Sequence, residues 1–390
     1  MSNRINYIIS ELKDQYLIED NLRSWIIGFS GGKDSTALLQ LVWLAMEQIP
    51  KELRKREIHV ICNDTLVENP IIKEYVDDVL KKIEQTAVQR DMPISVKKTV
   101  PRLEDTFWVN VVGRGYPVPN NTFRWCTDKM KIKPTSRYIV EEVDKNGEAI
   151  ILVGTRRSES VNRANTIKKH EVKGKRLTKH PNQVNTFVYS PIKELELEEV
   201  WYIINAISSP WGSNNSELFK IYADASADDY ECPTMVSDDK HRSCGQSRFG
   251  CWTCTVVKED KSLTAQVENG KEWLKPLLDL RSSMFDQRNI SENRDTTRRN
   301  GQKAVTADGH NQGNYTIEYR SKLLKQVLEV QKYIQQFDPS IELIKNSELI
   351  AIQVIWRRDL AMPNKNYREL TSYKTVSEIY NEVYNKELDM

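Results

Sequence analysis

Apolar runs and amphipathic stretches alternate through the first half of the chain. Four stretches have the composition and period of strands: 25–29, 58–62, 94–99 and 149–153. Three stretches between them have the period of helices: 35–48, 70–90 and 134–144. Strands separated by helices predict βαβ units. We therefore expect an α/β fold with a doubly wound, mostly parallel sheet, which binds ligands at the carboxyl ends of its strands.

The pattern changes in the second half. Residues 191–206 predict a turn and an amphipathic helix, whereas residues 208–260 are rich in Ser, Asp, Gly and Cys and show little periodicity. A metal site, rather than an apolar core, would have to organise that segment. Helical patterns return at 315–337 and 347–358. These shifts predict an α/β domain at 1–207, a cysteine-rich segment at 208–260 and a mainly helical region at 261–390.

Charge and composition narrow the class of protein only a little. The 57 basic and 55 acidic residues leave a net charge of +2, which by itself indicates no polyanionic partner. Two stretches are locally basic, 168–179 and 294–303; such runs are usually solvated loops, and otherwise they contact phosphates. No stretch reaches the roughly 18–20 uncharged apolar residues of a membrane-spanning helix, and the acidic N-terminal region does not resemble a signal peptide. We expect a cytoplasmic protein with no membrane partner.

A glycine-rich loop joins the first predicted strand to the first predicted helix. It has seven residues: Ser30, Gly31, Gly32, Lys33, Asp34, Ser35 and Thr36. Glycines let backbone N–H groups approach an anion, and the N-terminus of the following helix adds unpaired donors. Lys33 supplies a positive charge to phosphates, the serine hydroxyls can donate hydrogen bonds, and Asp34 can hold Mg²⁺ directly or through water. The spacing differs from that of the Walker loop. It resembles the PP-loop of N-type ATP pyrophosphatases, which cleave ATP between the α and β phosphates.

Two further loops are expected at the same edge of the sheet. Asp64 follows the second strand, where a carboxylate could meet the ribose of a nucleotide or a metal-bound water. Gly154 and Arg156 follow the strand at 149–153, where a fixed guanidinium could stabilise charge that develops on the phosphates. Each residue alone could equally be an ordinary turn residue. Their shared position at the expected ligand edge strengthens both assignments.

Cysteines are concentrated in one short segment. Four of the six lie within residues 232–254: Cys232, Cys244, Cys251 and Cys254. In a large chain without a secretion signal, such a cluster more often binds metal than forms disulfides. Four thiols can hold a tetrahedral Zn²⁺ ion or a [4Fe–4S] cluster. Only one CxxC pair is present where structural zinc sites usually have two, which favours iron–sulfur, although spacing alone leaves both open.

The two remaining cysteines stand apart. Cys126 lies between Arg124 and Lys131, and neighbouring cations favour the thiolate form. It is either a nucleophile or persulfide carrier, or a small packed hydrophobic residue. Cys62 lies inside a predicted buried strand and is interpreted as structural.

Longer motifs give the chain a family resemblance. They span roughly residues 20–300 and read GFSGGKDSTALLQL, NDTLVENP, EDTFWVN, GRGYP, FRWCT, GTRRSES, SPWGSNN and SRFGCWTC. With these motifs the chain resembles the DndC family, the sulfurtransferases of bacterial DNA phosphorothioation systems. That family belongs to the phosphoadenylyl-sulfate reductase-like branch of the PP-loop enzymes. The resemblance implies a sheet of the adenine nucleotide alpha hydrolase-like kind.

The same resemblance implies an activity and its partners. It implies an ATP pyrophosphatase that binds nucleotide and Mg²⁺ at the loop 30–36 and holds a [4Fe–4S] cluster on the four clustered cysteines. Such a protein accepts sulfur from a cysteine desulfurase. Together with other proteins of the phosphorothioation system, it replaces a non-bridging phosphate oxygen of DNA with sulfur.

Three alternatives compete with this interpretation. A tRNA thiolase also couples ATP cleavage to sulfur transfer and differs in the nucleic acid that gains sulfur. A sulfonucleotide reductase shares the loop but carries a catalytic cysteine near its C-terminus, whereas no cysteine follows Cys254 here. A non-catalytic, zinc-bearing DNA-binding module would not need an intact SGGKDST loop.

Overall fold

Two compact units make up the chain in its computed structural model, which describes residues 2–18, 23–224, 250–361, 374–386 and 388. The sheet unit comprises Met1–Asp64, Asn69–Val100 and Lys131–Gly250. The helical unit comprises Thr65–Glu68, Pro101–Met130 and Cys251–Met390. The two units are interleaved along the chain, and the three consecutive segments expected from the sequence stay a prediction.

A six-stranded sheet forms the centre of the sheet unit, with strand order β3-β2-β1-β4-β6-β5. The strands are β1 (Ser24–Gly28), β2 (Ile58–Asn63), β3 (Ile94–Thr99), β4 (Ala149–Leu152), β5 (Thr178–Lys179) and β6 (Thr186–Tyr189). Every pairing is parallel except that of β5 with β6. The expected α/β class with a mostly parallel sheet is therefore confirmed. The hydrophobic pattern did not reveal the short strands β5 and β6.

Seven α-helices belong to the described part of the sheet unit. They are α1 (Ser2–Leu17), α2 (Lys33–Glu47), α3 (Pro70–Gln89), α4 (Lys133–Asn146), α5 (Val161–His170), α6 (Leu197–Ala206) and α7 (Asn215–Asp224). Asn69 begins α3 by accepting a hydrogen bond from the Ile71 N–H at 3.1 Å, and Pro70 occupies the first turn, which needs no N–H donor. Helix α7 lies in the stretch where the sequence showed little periodicity.

Alternate residues of the central strands enter two separate cores, as the period of a strand requires. Trp25 and Ile27 pack in the larger core with apolar residues of α1, α2, α3 and α6. Ile26, between them, packs in the second core with Ile139 of α4. The sheet is thus covered on both faces, which explains why its central strands read as continuous apolar runs.

The helical unit contains five α-helices among its described residues. They are α8 (Lys261–Glu268), α9 (Lys275–Gln287), α10 (Ile317–Ile334), α11 (Asn346–Ala361) and α12 (Val376–Tyr384). Buried tryptophans connect distant segments: Trp108 donates from Nε1 to the Leu343 carbonyl at 2.6 Å, and Trp356 donates to the Val112 carbonyl at 2.8 Å. The expected helical C-terminal region is present. No helix within the described ranges is long and apolar enough to cross a membrane.

Candidate nucleotide site and cysteine turn

The glycine-rich loop lies between β1 and α2, as expected. Gly31 has φ 80°, a left-handed conformation that suits a residue without a Cβ atom. Gly32 is the extended residue before α2, and Lys33 is the first residue of that helix. Ser35 donates from its hydroxyl to the Gly32 carbonyl at 3.0 Å, and its Oγ lies 3.1 Å from Ser30 Oγ. The loop therefore presents a helix N-terminus with a hydroxyl pair beside it, an arrangement that suits an anion.

Parallel pairing brings the three predicted loops to one edge of the sheet. Gly28 of β1 is opposite Ile61 of β2, and Ile27 is opposite Leu152 of β4, so the loops that follow all begin at the carboxyl edge. A Cβ atom added to Gly154 would lie 3.0 Å from the carbonyl carbon and oxygen of Asp34. A side chain at position 154 would thus crowd the Asp34 backbone where the third loop packs against the first.

A buried ion pair joins these two loops. Arg156 donates from Nε to Asp34 Oδ1 at 2.6 Å, and the two residues are only 2% and 5% exposed. Lys33 Nζ lies 3.2 Å from Asp34 Oδ2, within ion-pair distance but not aligned for a hydrogen bond. Asp34 Oδ2 has no hydrogen-bond partner among the described residues. Arg156 therefore holds Asp34 in place, and the direct contact with phosphates expected for Arg156 stays a prediction.

Other buried oxygens in these loops also lack hydrogen-bond partners within the part of the chain that the structure describes. They are Thr36 Oγ1, Thr155 Oγ1 and Glu159 Oε2. The Glu159 side chain is 4% exposed. Arg163 Nε lies 3.0 Å from its Oε2, within ion-pair distance but not aligned for a hydrogen bond. Burial raises the pKa of Glu159 to about 7, with the Asp34 carboxylate contributing to the rise. Unsatisfied carboxylate and hydroxyl oxygens are ligands that Mg²⁺ or its bound waters accept, so this donor set fits that ion.

Tyr222 of α7 covers the loop. Its hydroxyl accepts a hydrogen bond from the Lys33 N–H at 3.2 Å, and the Lys33 ammonium lies 5.1 Å from the centre of its ring. A phosphate that binds the Lys33 N–H must therefore replace this hydroxyl. Tyr222 was not anticipated, because the segment 208–260 was interpreted as having little periodicity. Glu159 was visible as an acid one turn after Gly154, but no role was assigned to it.

Asp64 lies at the same edge, directly after β2. Its backbone N–H donates to the Thr99 carbonyl at 2.9 Å, and its Oδ2 lies 4.0 Å from Lys98 Nζ. The side chain is 8% exposed. Its position agrees with the expected nucleotide site, and its contact with a ribose or a metal-bound water stays a prediction.

Two of the four clustered cysteines form a tight turn in the helical unit. The Cys254 N–H donates to the Cys251 carbonyl at 3.0 Å. Cys251 also forms an antiparallel bridge with Glu68, and its Sγ lies 3.2 Å from Thr65 Oγ1. This turn suits two adjacent ligands of one metal centre. Cys232 and Cys244 lie outside the described residues.

Two arginines of α9 fix the backbone of this turn. Arg281, which is fully buried, donates from Nε to the Cys254 carbonyl at 3.0 Å and from its other nitrogens to the carbonyls of Val257 and Lys258. Arg288 donates to the Thr255 carbonyl at 2.5 Å. Two arginine side chains therefore hold the backbone of this turn, in addition to the backbone hydrogen bond between Cys254 and Cys251.

Cys126 lies in the same unit, partly buried, just before the π-helical turn Thr127–Ile132. Trp125 anchors the segment, because its Nε1 donates to the Pro117 carbonyl at 2.9 Å and its ring stacks on Phe107. Cys62 is buried within β2. The choice between a reactive and a packing role for Cys126 stays open.

A family model supplies the identification. Residues 24–257 match the phosphoadenosine phosphosulfate reductase domain. The chain belongs to this family. The matched region of this phosphoadenosine phosphosulfate reductase domain protein includes the glycine-rich loop, Asp64, Arg156 and all four clustered cysteines.

One curated relative is an uncharacterized protein of Methanocaldococcus jannaschii, 25% identical over 250 residues. The alignment covers 64% of this reductase-domain protein and 40% of the relative, so the chain spans less than half of that relative's length.

Solved structures with a similar chain course include phosphoadenylyl-sulfate reductase from Candida auris in a phosphate complex, 12% identical over 56% of this chain and 90% of that one, with a TM-score of 0.34. Another is the U34-tRNA thiolase NcsA from Methanococcus maripaludis with its [4Fe-4S] cluster, 17% identical over 56% of this chain and 73% of that one, with a TM-score of 0.33.

Proposed function

We propose that this chain cleaves ATP to AMP and pyrophosphate and uses that reaction to transfer sulfur to the DNA backbone. The observation that carries the first half is the carboxyl edge of the sheet. There, a glycine loop and a helix N-terminus meet a buried Asp34 whose Oδ2 has no hydrogen-bond partner among the described residues. Such an edge suits the phosphates of a nucleotide and their cation.

Each residue of the loop has a distinct task in this proposal. The N-terminus of α2 and the Lys33 ammonium attract the phosphates, and the hydroxyls of Ser30 and Ser35 donate to them. Asp34, held by Arg156, would bind Mg²⁺ through Oδ2, directly or through water, and the ion would neutralise phosphate charge. Gly154 keeps the third loop close enough for this arrangement. Asp64, which follows β2 at the same edge of the sheet, is assigned to the ribose.

Sulfur transfer to DNA requires an activated phosphate, because a non-bridging phosphate oxygen of DNA is a poor leaving group. Attack of that oxygen on the α-phosphorus of ATP releases pyrophosphate and attaches AMP to the oxygen. Hydrosulfide then attacks the phosphorus and forms the phosphorus–sulfur bond, and the oxygen leaves with AMP. When a protein persulfide delivers the sulfur instead, a thiol reductant must cleave its sulfur–sulfur bond, and that thiol ends in a disulfide. This order explains why one chain needs both ATP cleavage and sulfur chemistry.

Cysteines supply the sulfur side of the reaction. Cys232, Cys244, Cys251 and Cys254 serve as ligands of a [4Fe–4S] cluster, and the two described members already lie on one turn. Cys126 serves as a candidate persulfide carrier. A cysteine desulfurase is the sulfur donor, and other proteins of the phosphorothioation system assist. The resemblance of the sequence motifs, rather than the geometry, supports DNA as the acceptor.

A reconstituted assay tests the proposal. The protein is purified without oxygen and incubated with ATP, Mg²⁺, a cysteine desulfurase, ³⁵S-cysteine and either duplex DNA or tRNA. We expect AMP and pyrophosphate to form and the label to enter nuclease-resistant dinucleotides of the DNA. Lys33→Ala abolishes both products in this scheme. Label in tRNA alone identifies a thiolase instead, and transfer of sulfur without AMP formation refutes the role of the loop.

A further inference from the structure

A polar cavity of about 620 Å³ lies within the helical unit. Segments 116–123 and 289–314 line it. Its volume is typical of sites that bind small molecules or single nucleotides. The lining contains three arginines and several amides but no carboxylate, so the cavity favours an anionic ligand.

Only one of the three arginines is available to such a ligand. Arg294 donates to the carbonyls of Gly313 and Gln312, both at 2.7 Å, and Arg299 forms a double hydrogen bond with Asp359 at 2.9 and 3.1 Å. Arg298 is exposed, and no described residue accepts a hydrogen bond from its guanidinium or forms an ion pair with it. A single unpaired guanidinium matches the single charge of a phosphodiester, rather than the several charges of a nucleoside triphosphate.

An exposed aromatic ring lies in the same lining. Phe123 is 42% exposed, and its ring centre lies 6.4 Å from that of Tyr116. Asn120 fixes the turn that carries Phe123, because its side-chain oxygen accepts hydrogen bonds from the N–H groups of Thr122 at 2.9 Å and Phe123 at 2.8 Å. A ring held in a hydrogen-bonded turn and exposed to solvent provides a surface on which a base can stack.

Hydrogen bonds connect the cavity wall to the cysteine turn. Thr255, the residue after Cys254, donates from Oγ1 to the Pro119 carbonyl at 2.6 Å, and Arg288 holds its carbonyl at 2.5 Å. Pro119 and Arg288 are direct chain neighbours of residues that line the cavity. The cavity is thus built against the turn that carries two of the candidate cluster ligands.

We propose that this cavity binds one nucleotide of the nucleic acid that receives sulfur, with its phosphodiester on Arg298 and its base against Phe123. The identity of the acceptor rests on the proposed function; the binding of a nucleotide rests on the lining itself. Segment 294–303, one of the two basic stretches of the sequence, thereby acquires a specific contact. In the other stretch, Arg176 is already paired with Glu11 at 2.6 Å.

The inference is tested with a fluorescent, single-stranded DNA oligonucleotide of about 12 nucleotides. Its binding to the full-length, anaerobically purified protein is measured. We expect Arg298→Ala and Phe123→Ala each to weaken binding by about 10-fold, since one phosphate contact or one stacked base contributes on that scale. Arg298→Ala also lowers the slope of log affinity against log salt by about one phosphate, whereas Phe123→Ala leaves that slope unchanged. Phe123→Leu, which keeps the apolar volume but not the ring face, weakens binding as Phe123→Ala does.

Arg102→Ala serves as the matched control, because Arg102 is exposed in the same unit but does not line the cavity. Equal losses in Arg102→Ala and Arg298→Ala overturn the inference, as does unchanged binding in the Arg298 and Phe123 variants. Competition by micromolar AMP that persists in the Lys33→Ala variant, in which the loop 30–36 is impaired, would identify the cavity as a free-nucleotide site and overturn the inference as well. If the cavity variants lose oligonucleotide binding while the wild-type protein transfers no sulfur, the proposed function is wrong and the assignment of nucleotide binding to the cavity is supported. If sulfur transfer occurs and these variants bind normally, only the cavity assignment fails.

Discussion

Removal of the Arg156 guanidinium tests how the nucleotide site is held together. Arg156→Ala leaves the buried Asp34 carboxylate without its hydrogen-bonded cation, because Oδ1 accepts only from Arg156 Nε in the described contacts. The Lys33 ammonium, 3.2 Å from Oδ2, is the cation that remains. The variant also loses the bond from Arg156 to Ser158 Oγ at 2.9 Å. The neighbouring Arg157 provides a control, since it pairs with Glu194 and Glu171 near the surface and is 28% exposed.

The structure sets the expected magnitude. Opposite charges about 4 Å apart attract by about 4 kcal/mol at an effective dielectric constant of about 20. Measured losses on breaking a buried pair are about 3–5 kcal/mol, and the lost hydrogen bond to the Ser158 hydroxyl adds about 1 kcal/mol. We therefore expect Arg156→Ala to lower the free energy of unfolding of the sheet unit by about 4–5 kcal/mol, whereas Arg157→Ala costs at most about 1 kcal/mol.

Urea unfolding followed by circular dichroism measures these costs without nucleotide. A double-mutant cycle with Asp34→Ala isolates the pair, and we expect Asp34→Ala/Arg156→Ala to cost about 2–3 kcal/mol less than the sum of the single variants. A coupling below about 0.5 kcal/mol refutes the role of Arg156 as the residue that holds Asp34. An equal loss in Arg157→Ala refutes the argument from burial.

The other predictions concern further residues of the glycine-rich loop, its adjoining loops and the cysteine turn. Lys33→Ala should abolish AMP formation but retain the visible absorbance of an iron–sulfur cluster; an active variant contradicts the assignment of the loop. Cys251→Ser should do the reverse, with iron content lost and pyrophosphate release retained, and a variant with full iron content excludes Cys251 as a ligand. Gly154→Ala should cost about 1–3 kcal/mol of stability, since its Cβ would crowd the Asp34 backbone, and should weaken ATP binding in a titration; normal binding contradicts the close-packing argument. Glu159→Gln should remove a fall in stability between pH 4.5 and 7. Because burial raises the pKa of Glu159 to about 7, the folded chain retains a proton that the unfolded chain releases, so stability decreases by up to about 3 kcal/mol as pH rises through that window; a wild-type profile no steeper than that of the variant contradicts this.

Local pattern was sufficient for the architecture of the sheet unit. The strands β1, β2, β3 and β4 were predicted to within one residue at each end, because strands buried on both faces appear as short apolar runs. Glycines and a helix start after β1 were likewise visible in the sequence. The rule that parallel strands share a carboxyl edge then placed Asp64 and Gly154 beside the loop.

Helix α7 and strand β6 show where local pattern was insufficient. Residues 215–224 carry apolar residues at helical spacing, Leu218, Ile221 and Tyr222, but the helix has only ten residues and follows a turn-rich stretch, so its short pattern was overlooked. Strand β6 has four residues, too few for a period to be distinguished from chance. Tyr222, which covers Lys33, was therefore not anticipated.

The sequence by itself determined which chemical groups this protein has and the order in which strands and helices present them. Only the tertiary structure decided which charges are paired. Asp34 and Arg156 are 122 positions apart in the sequence but form a buried ion pair. Arg298 and Arg299 are adjacent in the sequence, yet Arg298 is exposed in the cavity and Arg299 is bound to Asp359. Hydrophobic periodicity is a local property of the chain, but the availability of a charge depends on which distant group lies within a few ångströms of it after folding.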